Sequence, residues 1–436
     1  MKLIKLYHRY TPEVVKNYVR KHLDYYRLGI GKFERQNKQL AKVVGKKDKI
    51  TVLFMAANVA MWRFQGIYEL LSKDSRFAVY VIISPFTTYS AEAQRNDVEG
   101  LKKYFKDNHI EAIDATDSTF SAETWRNEHE VDIFFPVQQY AGMVGKGLNI
   151  EDFTSRLVCI VPYSFTVTDK EWTFNNYYLN IAWRVYHPTP SHKKRASQRA
   201  VNHGKNVKVV GEPNADRYAS AARTDPWKVI GDGKSRRRII WAPHFSINDD
   251  CWLKNRTSFL YLAEYMQEMS ERYKDTVQFA FKPHPRLFSE LCKHRDWGAA
   301  RAGEYYDFWK KNYNTQIDDG EFIDLFLTSD AMIHDSGSFT GEYMYVGKPV
   351  LFVSPDFDSV RAECNPCAQK CMDLHYRTDN ADGVEDFVRK VVLNGEDYMK
   401  PRRIKFYNKV LKTPDSGSVA ENIYNDILDS LGLKRN

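Results

Sequence analysis

Two rhythms of apolar and polar positions alternate along most of this chain. Short apolar runs of the buried-strand kind are separated by stretches whose apolar residues recur every three or four positions, as on one helix face. The runs Ile50–Ala56, Phe77–Ile83, Ile110–Ala115, Val131–Val137 and Leu157–Val161 read as strands. Trp62–Leu71, Ala91–Lys106, Ser121–Glu128 and Ala141–Ile150 read as the helices between them. Helical stretches over Asn175–Val185 and Ser191–Val201, then a short strand at Val207–Val210, complete the first set. Residues 222–236 combine turn formers with charge and read as a linker. The alternation then restarts. Arg238–Ala242, Val277–Lys282, Thr315–Ile317, Ala331–His334 and Pro349–Val353 are predicted strands. Thr257–Tyr273, Leu287–His294, Glu304–Asn312, Gly320–Leu327 and Ser338–Val346 are predicted helices. Further helices are expected over Gly383–Leu393, Tyr398–Leu411 and Val419–Leu431. Strand–helix alternation is the mark of a doubly wound parallel sheet. The expected fold class is therefore α/β, with two Rossmann-like domains facing across a cleft. The expected divisions are 1–49, a basic helical arm; 50–222, a first domain; 223–415, a second; and 416–436, a closing helix.

Charge changes this picture at one end only. The net charge is +8, yet residues 1–49 hold fourteen Lys/Arg against four Asp/Glu. The body is close to neutral, so it is not a general polyanion binder, and no nucleic-acid partner is expected. Thr11-Pro12-Glu13 is a helix start, and Val15, Val19, Leu23 and Tyr26 follow at helical spacing among Lys16, Arg20, Lys21 and Arg27. A basic amphipathic helix over residues 11–28 suits an anionic membrane surface, or else packs its apolar face on its own protein. The longest apolar run, Phe77–Ile83, is far short of the ~18 residues of a membrane span. The first residues lack the pattern of a secretory signal. Six cysteines in 436 residues do not make a disulfide framework, which favours a reducing, cytoplasmic setting.

The candidate chemistry lies on turns that follow predicted strands. Asp335-Ser336-Gly337-Ser338 opens a predicted helix after Ala331–His334. Such a turn offers free N–H groups and hydroxyls to an anion, or is simply a serine-capped βα turn. Pro243-His244 follows the strand ending at Ala242, and Lys282-Pro283-His284-Pro285-Arg286 follows the next. Gly211-Glu212-Pro213-Asn214-Ala215-Asp216 ends the first half, and Gln138-Gln139-Tyr140 follows Val131–Val137. If these turns face one cleft, they assemble a site for a pyrophosphate. Gly231-Asp-Gly233-Lys234-Ser235 lacks the upstream glycine of a phosphate-binding loop and precedes a strand, so it is rejected. Asp356-Phe-Asp358 is a chance-level acidic pair. Cys364, Cys367, Cys371 and His375 are spaced too closely for an unstrained tetrahedral zinc site, and no metal or other cofactor is expected.

Over about residues 205–432 these segments resemble the CDP-glycerol glycerophosphotransferase family, which builds teichoic-acid-like and capsular polymers. Gly211-x-Pro213-x-x-Asp216, Trp241-Ala242-Pro243, His284-Pro285, Asp335 with Ser338, and Lys348-Pro349 carry the resemblance. Glu342-Tyr343 stands where the family has Asp-Tyr, and Ser336 where it has tyrosine. The resemblance implies a GT-B fold and a CDP-glycerol or similar CDP-alditol donor. It implies glycerol-phosphate transfer to a hydroxyl of a polysaccharide or lipid-linked acceptor at the inner membrane face, with release of CMP. It implies His284 and Asp335 as catalytic residues. It implies Gly211, Pro213, Asp216, Pro243, His244, Lys282, Ser336, Gly337, Ser338 and Glu342 around the donor. Protonated His284 would stabilise phosphate charge, and Glu342 would hold a hydroxyl of the ribose or glycerol. The family's His-Gly-Thr segment is absent from the first half, where Gln138, Gln139 and Tyr163 are the acceptor candidates. A second resemblance, of Asp335-Ser-Gly337, Glu342 and Gly347-Lys348-Pro349 to UDP-N-acetylglucosamine 2-epimerase, keeps a sugar-nucleotide enzyme as the alternative. That family's Gly-Thr-Arg-Pro-Glu and His-Gly-Asp segments are missing. A non-catalytic nucleotide- or polymer-binding protein is the alternative of another class.

Overall fold

The computed structural model describes residues 13–248, 257–318, 320, 322–414 and 417–435. The helix start at Thr11-Pro12 and the Asp415-Ser416 segment before the closing helix lie outside them. The chain divides into two compact units. The first takes in the chain to Tyr163, Lys170–Pro213 and the part from Thr413 on; the second is Ser164–Asp169 with Asn214–Lys412.

The first unit is built on seven strands: β1 (Ile50–Ala56), β2 (Phe77–Ile83), β3 (Ile113–Asp114), β4 (Ile133–Phe135), β5 (Leu157–Ile160), β6 (Arg184–His187) and β7 (Val207–Val209). They lie in the order 3-2-1-4-5-6-7, and each pairing is parallel. Alternate residues of β1 explain the two covered faces. Leu53 and Met55 join the core with Phe134 and Ile160, while Phe54 stacks on Phe135 with ring centroids 4.5 Å apart. A parallel sheet buried on both faces needs such near-continuous apolar strands.

Three first-unit expectations change. The predicted helix over Ala141–Ile150 is a loop. Asn149 holds it, accepting from the Val144 N–H at 3.0 Å and donating to the Val144 and Gly145 carbonyls, and Gly142 and Gly147 take positive φ. The helical stretch predicted over Asn175–Val185 is a helix of five residues, Tyr177–Ile181, followed by the unforeseen strand β6. The arm contains a second helix, Ile30–Val44, beyond Gly29; its Asn37 donates to the Ile181 carbonyl at 2.9 Å. The first arm helix, Glu13–Arg27, leaves Val19, Leu23 and Tyr26 exposed by 37, 63 and 68%. The closing helix Val419–Leu431 starts with a Ser418/Glu421 capping box and belongs to this unit. Its Asp426 takes Arg184 at 2.8 Å, and its Tyr424 donates to Asp74 at 2.6 Å.

The second unit has six strands: β8 (Arg237–Ala242), β9 (Val277–Phe281), β10 (Thr315–Ile317), β11 (Ala331–His334), β12 (Val350–Val353) and β13 (Tyr376–Thr378). Their order is 10-9-8-11-12-13, again parallel throughout. Trp241, Phe259, Phe281 and Trp309 fill the centre of its core. Strand β13 is only three residues long and carried no readable pattern. The predicted linker is in part strapped to this unit. Trp227 is buried and donates to Thr328 Oγ1 at 3.0 Å, and the Asp324 carboxylate takes Arg217 and the Thr224 N–H. The segment Ser164–Asp169 also belongs here: Thr168 bridges Cys364, and the Asn365 N–H donates to the Val167 carbonyl at 2.8 Å.

Candidate functional site

In the second unit the strand order reverses between β8 and β11. Connections leave those two strands toward opposite faces, so the loops at their carboxyl ends part and leave a crevice, the usual ligand position of such sheets. Asp335, just after β11, spans that point. One carboxylate oxygen accepts the His244 N–H at 2.6 Å, across from β8. The other accepts the Ser258 N–H and, at 2.9 Å, the Ser258 hydroxyl. Burial pushes its pKa up to about 6, and these donors restrain the rise. A carboxylate so committed to its own fold fixes the loop after β8 and the start of the helix Phe259–Arg272. These bonds give Asp335 a positioning part in the fold, where the resemblance implies a catalytic one.

Around this anchor the sheet gathers two imidazoles and a guanidinium. The His244 and His284 ring centroids are 5.1 Å apart, and both rings lie against Phe245. The Arg286 guanidinium sits over the Phe245 ring at 4.2 Å. His244 Nδ1 is 2.9 Å from the Ser246 hydroxyl. His284 Nδ1 accepts the Arg286 N–H at 3.1 Å, which puts the proton of the neutral ring on Nε2. Burial, then the neighbouring Arg286, lowers the His284 pKa to about 3. An accepting Nδ1 and a lowered pKa favour the neutral ring over the protonated one expected for His284. The positive charge beside this ring is that of Arg286. It closes the Lys282–Arg286 motif, where a lone exposed arginine carries no spacing signal in the sequence.

The Ser336–Ser338 turn faces solvent at Gly337, and the N–H groups of Gly337 and Ser338 find no partner among the described residues. The helix it opens is shorter than predicted, one α turn at Phe339–Glu342 continued as a 3-10 turn to Tyr345. Its dipole is correspondingly small, and anion affinity here rests on N–H groups and hydroxyls. Below the turn, His334 Nδ1 and the Thr340 hydroxyl both approach the Ser336 carbonyl, at 3.1 and 3.2 Å.

Other expected donor residues have structural employment. The Lys282 ammonium is buried and donates to Asp318 Oδ1 and to the Gly320 carbonyl, both at 3.0 Å, so it pins the loop after β10. Glu342, also buried, accepts the Phe165 N–H at 3.0 Å. Gly211 and Pro213 lie in the first unit, Asp216 in the second. Gly211 has φ +104°, and a Cβ there would come within 2.7 Å of Val419, which accounts for the glycine by packing. Its neighbour Glu212 forms a buried ion pair with Arg63. Pro243 is buried beside the His244 loop, and its carbonyl accepts the His284 N–H at 3.1 Å.

The acceptor candidates come together in the first unit, after β4 and β5. Gln138 and Gln139 are buried, and Gln138 Nε2 and Gln139 Oε1 have no hydrogen-bond partner among the described residues. The Tyr140 phenol, beside Tyr163 and Gln139, is pushed to about 12, chiefly by burial. Among the described residues no three His, Cys, Asp or Glu side chains converge as metal ligands; Cys364, Cys367 and Cys371 form no disulfide, and the His375 ring lies 5.3 Å from that of His334.

Residues 179–429 match the model of the family described as CDP-Glycerol:Poly(glycerophosphate) glycerophosphotransferase. That is more than half of the chain. The chain belongs to this family, and it is a glycerophosphotransferase-type enzyme. No curated protein matches its sequence. Among solved structures it is similar to a variant of the wall teichoic acid polymerase TagF, at 13% identity and a TM-score of 0.59, covering 96% of this chain and 98% of that one. A TagF structure soaked with CDPG gives a TM-score of 0.57 at 13% identity over the same shares, 96% and 98%. The UDP-GlcNAc 2-epimerase of Methanocaldococcus jannaschii, in complex with UDP-GlcNAc and UDP, gives 0.55 at 14% identity, covering 87% of this chain and 99% of that one. At such identities the likeness is one of fold, and the fold is GT-B-like.

Proposed function

We propose that this glycerophosphotransferase moves glycerol phosphate, or a related alditol phosphate, from a CDP-activated donor to a hydroxyl of a cell-surface polysaccharide or lipid-linked acceptor. The acceptor oxygen attacks the glycerol-bearing phosphorus as its proton is lost to a base. The P–O bond to the nucleotide breaks with its electron pair, and CMP leaves. The observation that carries this reading is the grouping of His244, His284, Arg286 and the Ser336–Ser338 turn at the reversal point of the second sheet. Arg286 supplies positive charge, while His284 Nε2–H, the free N–H groups of Gly337 and Ser338, and the Ser336 and Ser338 hydroxyls supply neutral donors. Such fixed donors stabilise charge that develops on a transferring phosphoryl group. Gln138, Gln139 and Tyr163 are the proposed acceptor contacts. CMP release from CDP-glycerol in the presence of acceptor tests the reading. His284→Ala should lower the rate about a hundredfold while the fold persists, the usual cost of one such donor. Turnover near the wild-type rate in His284→Ala, or no CMP release by the wild type, would sink it.

The arm fits peripheral attachment to the inner membrane face. Val19, Leu23 and Tyr26 lie at intervals of four and three residues and stay exposed beside Arg20 and Arg27. Apolar surface flanked by arginines suits an anionic bilayer. Among the described residues no helix is long and apolar enough to cross a membrane.

A further inference from the structure

A second cationic pocket lies in the second unit, beside the start of β13 and sharing no residue with the donor loops. It has a volume of about 480 Å³ and is lined by Asp373, His375, Tyr376, Arg377, Tyr398 and Arg402. Its charges do not balance. Asp373 receives Arg361 through two bonds of 2.8 Å and Arg377 at 3.1 Å. Arg402, whose positive charge also acts on Asp373, has one hydrogen-bond contact among the described residues, from Nη1 to the Met399 sulfur at 3.5 Å. Of the lining residues, two guanidinium groups, Arg377 and Arg402, thus face one carboxylate, which leaves a surplus of one positive charge at the pocket.

A second observation points to a ligand. His375 lines this pocket, is 1% exposed, and makes no hydrogen bond of good geometry at either ring nitrogen among the described residues, although the Thr340 backbone also acts on the ring. Buried polar atoms left in that state are uncommon and call for a missing partner. Burial, with His334 and Arg403 nearby, keeps the ring neutral, so it can offer an N–H without adding charge. Tyr398, 69% exposed and edge-on to Tyr376 at 4.9 Å, forms an aromatic rim. The volume is in the range of pockets for small organic ligands.

We propose that this pocket binds a phosphate-bearing anion through Arg377 and Arg402. The inference stands on the pocket's own residues and is independent of the reaction assigned to the donor loops. Guanidinium groups match phosphate oxygens in charge and in geometry. The source of the phosphate is either the inorganic ion or an organic phosphate monoester, and the test separates them.

The full chain is titrated calorimetrically with inorganic phosphate and, separately, with glycerol 3-phosphate. The wild type should bind at least one, and the stronger binder identifies the source. Arg402→Gln should weaken that binding about tenfold, the scale of one charge-assisted hydrogen bond. Tyr398→Glu, a like charge set at the exposed rim, should weaken it as well. Lys405→Gln, an exposed change outside the pocket, should leave it unaltered. The inference is overturned if the wild type binds neither anion, if Arg402→Gln and Tyr398→Glu both bind as the wild type does, or if Lys405→Gln weakens binding equally.

Discussion

Replacing Asp335 by Asn separates an anchor from a catalyst. The side chain keeps its shape but loses its charge. One amide oxygen can still serve one side of the loop pair, so either the His244 N–H or the Ser258 donors face an NH2 group. A stranded buried donor costs about 1–3 kcal/mol. Against this, the substitution removes a buried charge. The wild-type carboxyl has its pKa raised to about 6 in the folded unit against 3.8 when unfolded, which corresponds to about 3 kcal/mol of destabilisation at neutral pH. The sign follows from proton counting. Between these pKa values the folded state binds more protons than the unfolded one, so Asp335 favours folding as pH falls through 6. Four histidines with lowered pKa values act the other way. His187, His284 and His334 have folded pKa values lowered to about 3, and His375 lies well below 6.5. Their contribution is present above about pH 6.5 and drains as the unfolded chain takes up protons below it. Both forms should therefore lose stability on acidification, the wild type less steeply. Urea unfolding followed by tryptophan fluorescence reads the difference. Between about pH 7.5 and 5 the wild type should gain about 1–2 kcal/mol on Asp335→Asn. A difference that does not move with pH refutes the buried-charge reasoning. If Asp335→Asn unfolds like the wild type at each pH yet loses CMP release about a thousandfold, a loss on the scale of removed catalytic machinery, Asp335 is catalytic and the anchoring account is wrong.

Two further outcomes follow from packing and exposure. Gly341→Ala would bring a Cβ within 2.1 Å of the Phe165 ring, so it should destabilise the second unit by about 1–3 kcal/mol, the usual scale of overpacking, and make Ser164–Asp169 a site of early proteolysis; an unshifted melt with unchanged cleavage would contradict the packing. Leu23→Glu should release the protein from vesicles containing anionic lipid at low salt while leaving CMP release from a soluble donor intact; equal retention of both forms, or no retention of the wild type, rejects the membrane-facing arm.

The sheets were legible because parallel strands buried on both faces must be apolar almost throughout. Ile50–Ala56, Phe77–Ile83, Thr315–Ile317 and Ala331–His334 were read with their observed ends. Strand β6 has no legible pattern because Arg184-Val-Tyr-His187 has two apolar residues between polar ends and begins three residues after a helix. The loop Ala141–Ile150 was misread for a related reason. Its apolar residues recur at roughly helical spacing, but Gly142, Gly147 and the multiple bonds of Asn149 close it as a loop, and side-chain bonds to backbone leave no period in a sequence.

At the site, sequence separated residue types better than roles. A carboxylate, a lysine and an imidazole after successive strands look alike as candidates, because each is polar and each sits where ligands bind. What divides them is how much of their bonding the fold has already taken. Lys282 is committed to Asp318 and Gly320, and Asp335 to His244 and Ser258, because both are buried and a buried charge must be satisfied at home. His284 and Arg286 sit one and two turns of loop further out, half-buried and exposed. His284 has only its Nδ1 engaged, and Arg286 pairs with Glu290 at 3.2 Å on a half-solvated surface where such a bond is cheaply exchanged for a phosphate. The anchoring by Asp335 and the binding proposed at Arg286 are thus linked. The anchor fixes the His244 loop, that loop carries Phe245, and the Phe245 ring is the platform on which the arginine is held at 4.2 Å. Loosening the buried acid should therefore reach Arg286 through that ring.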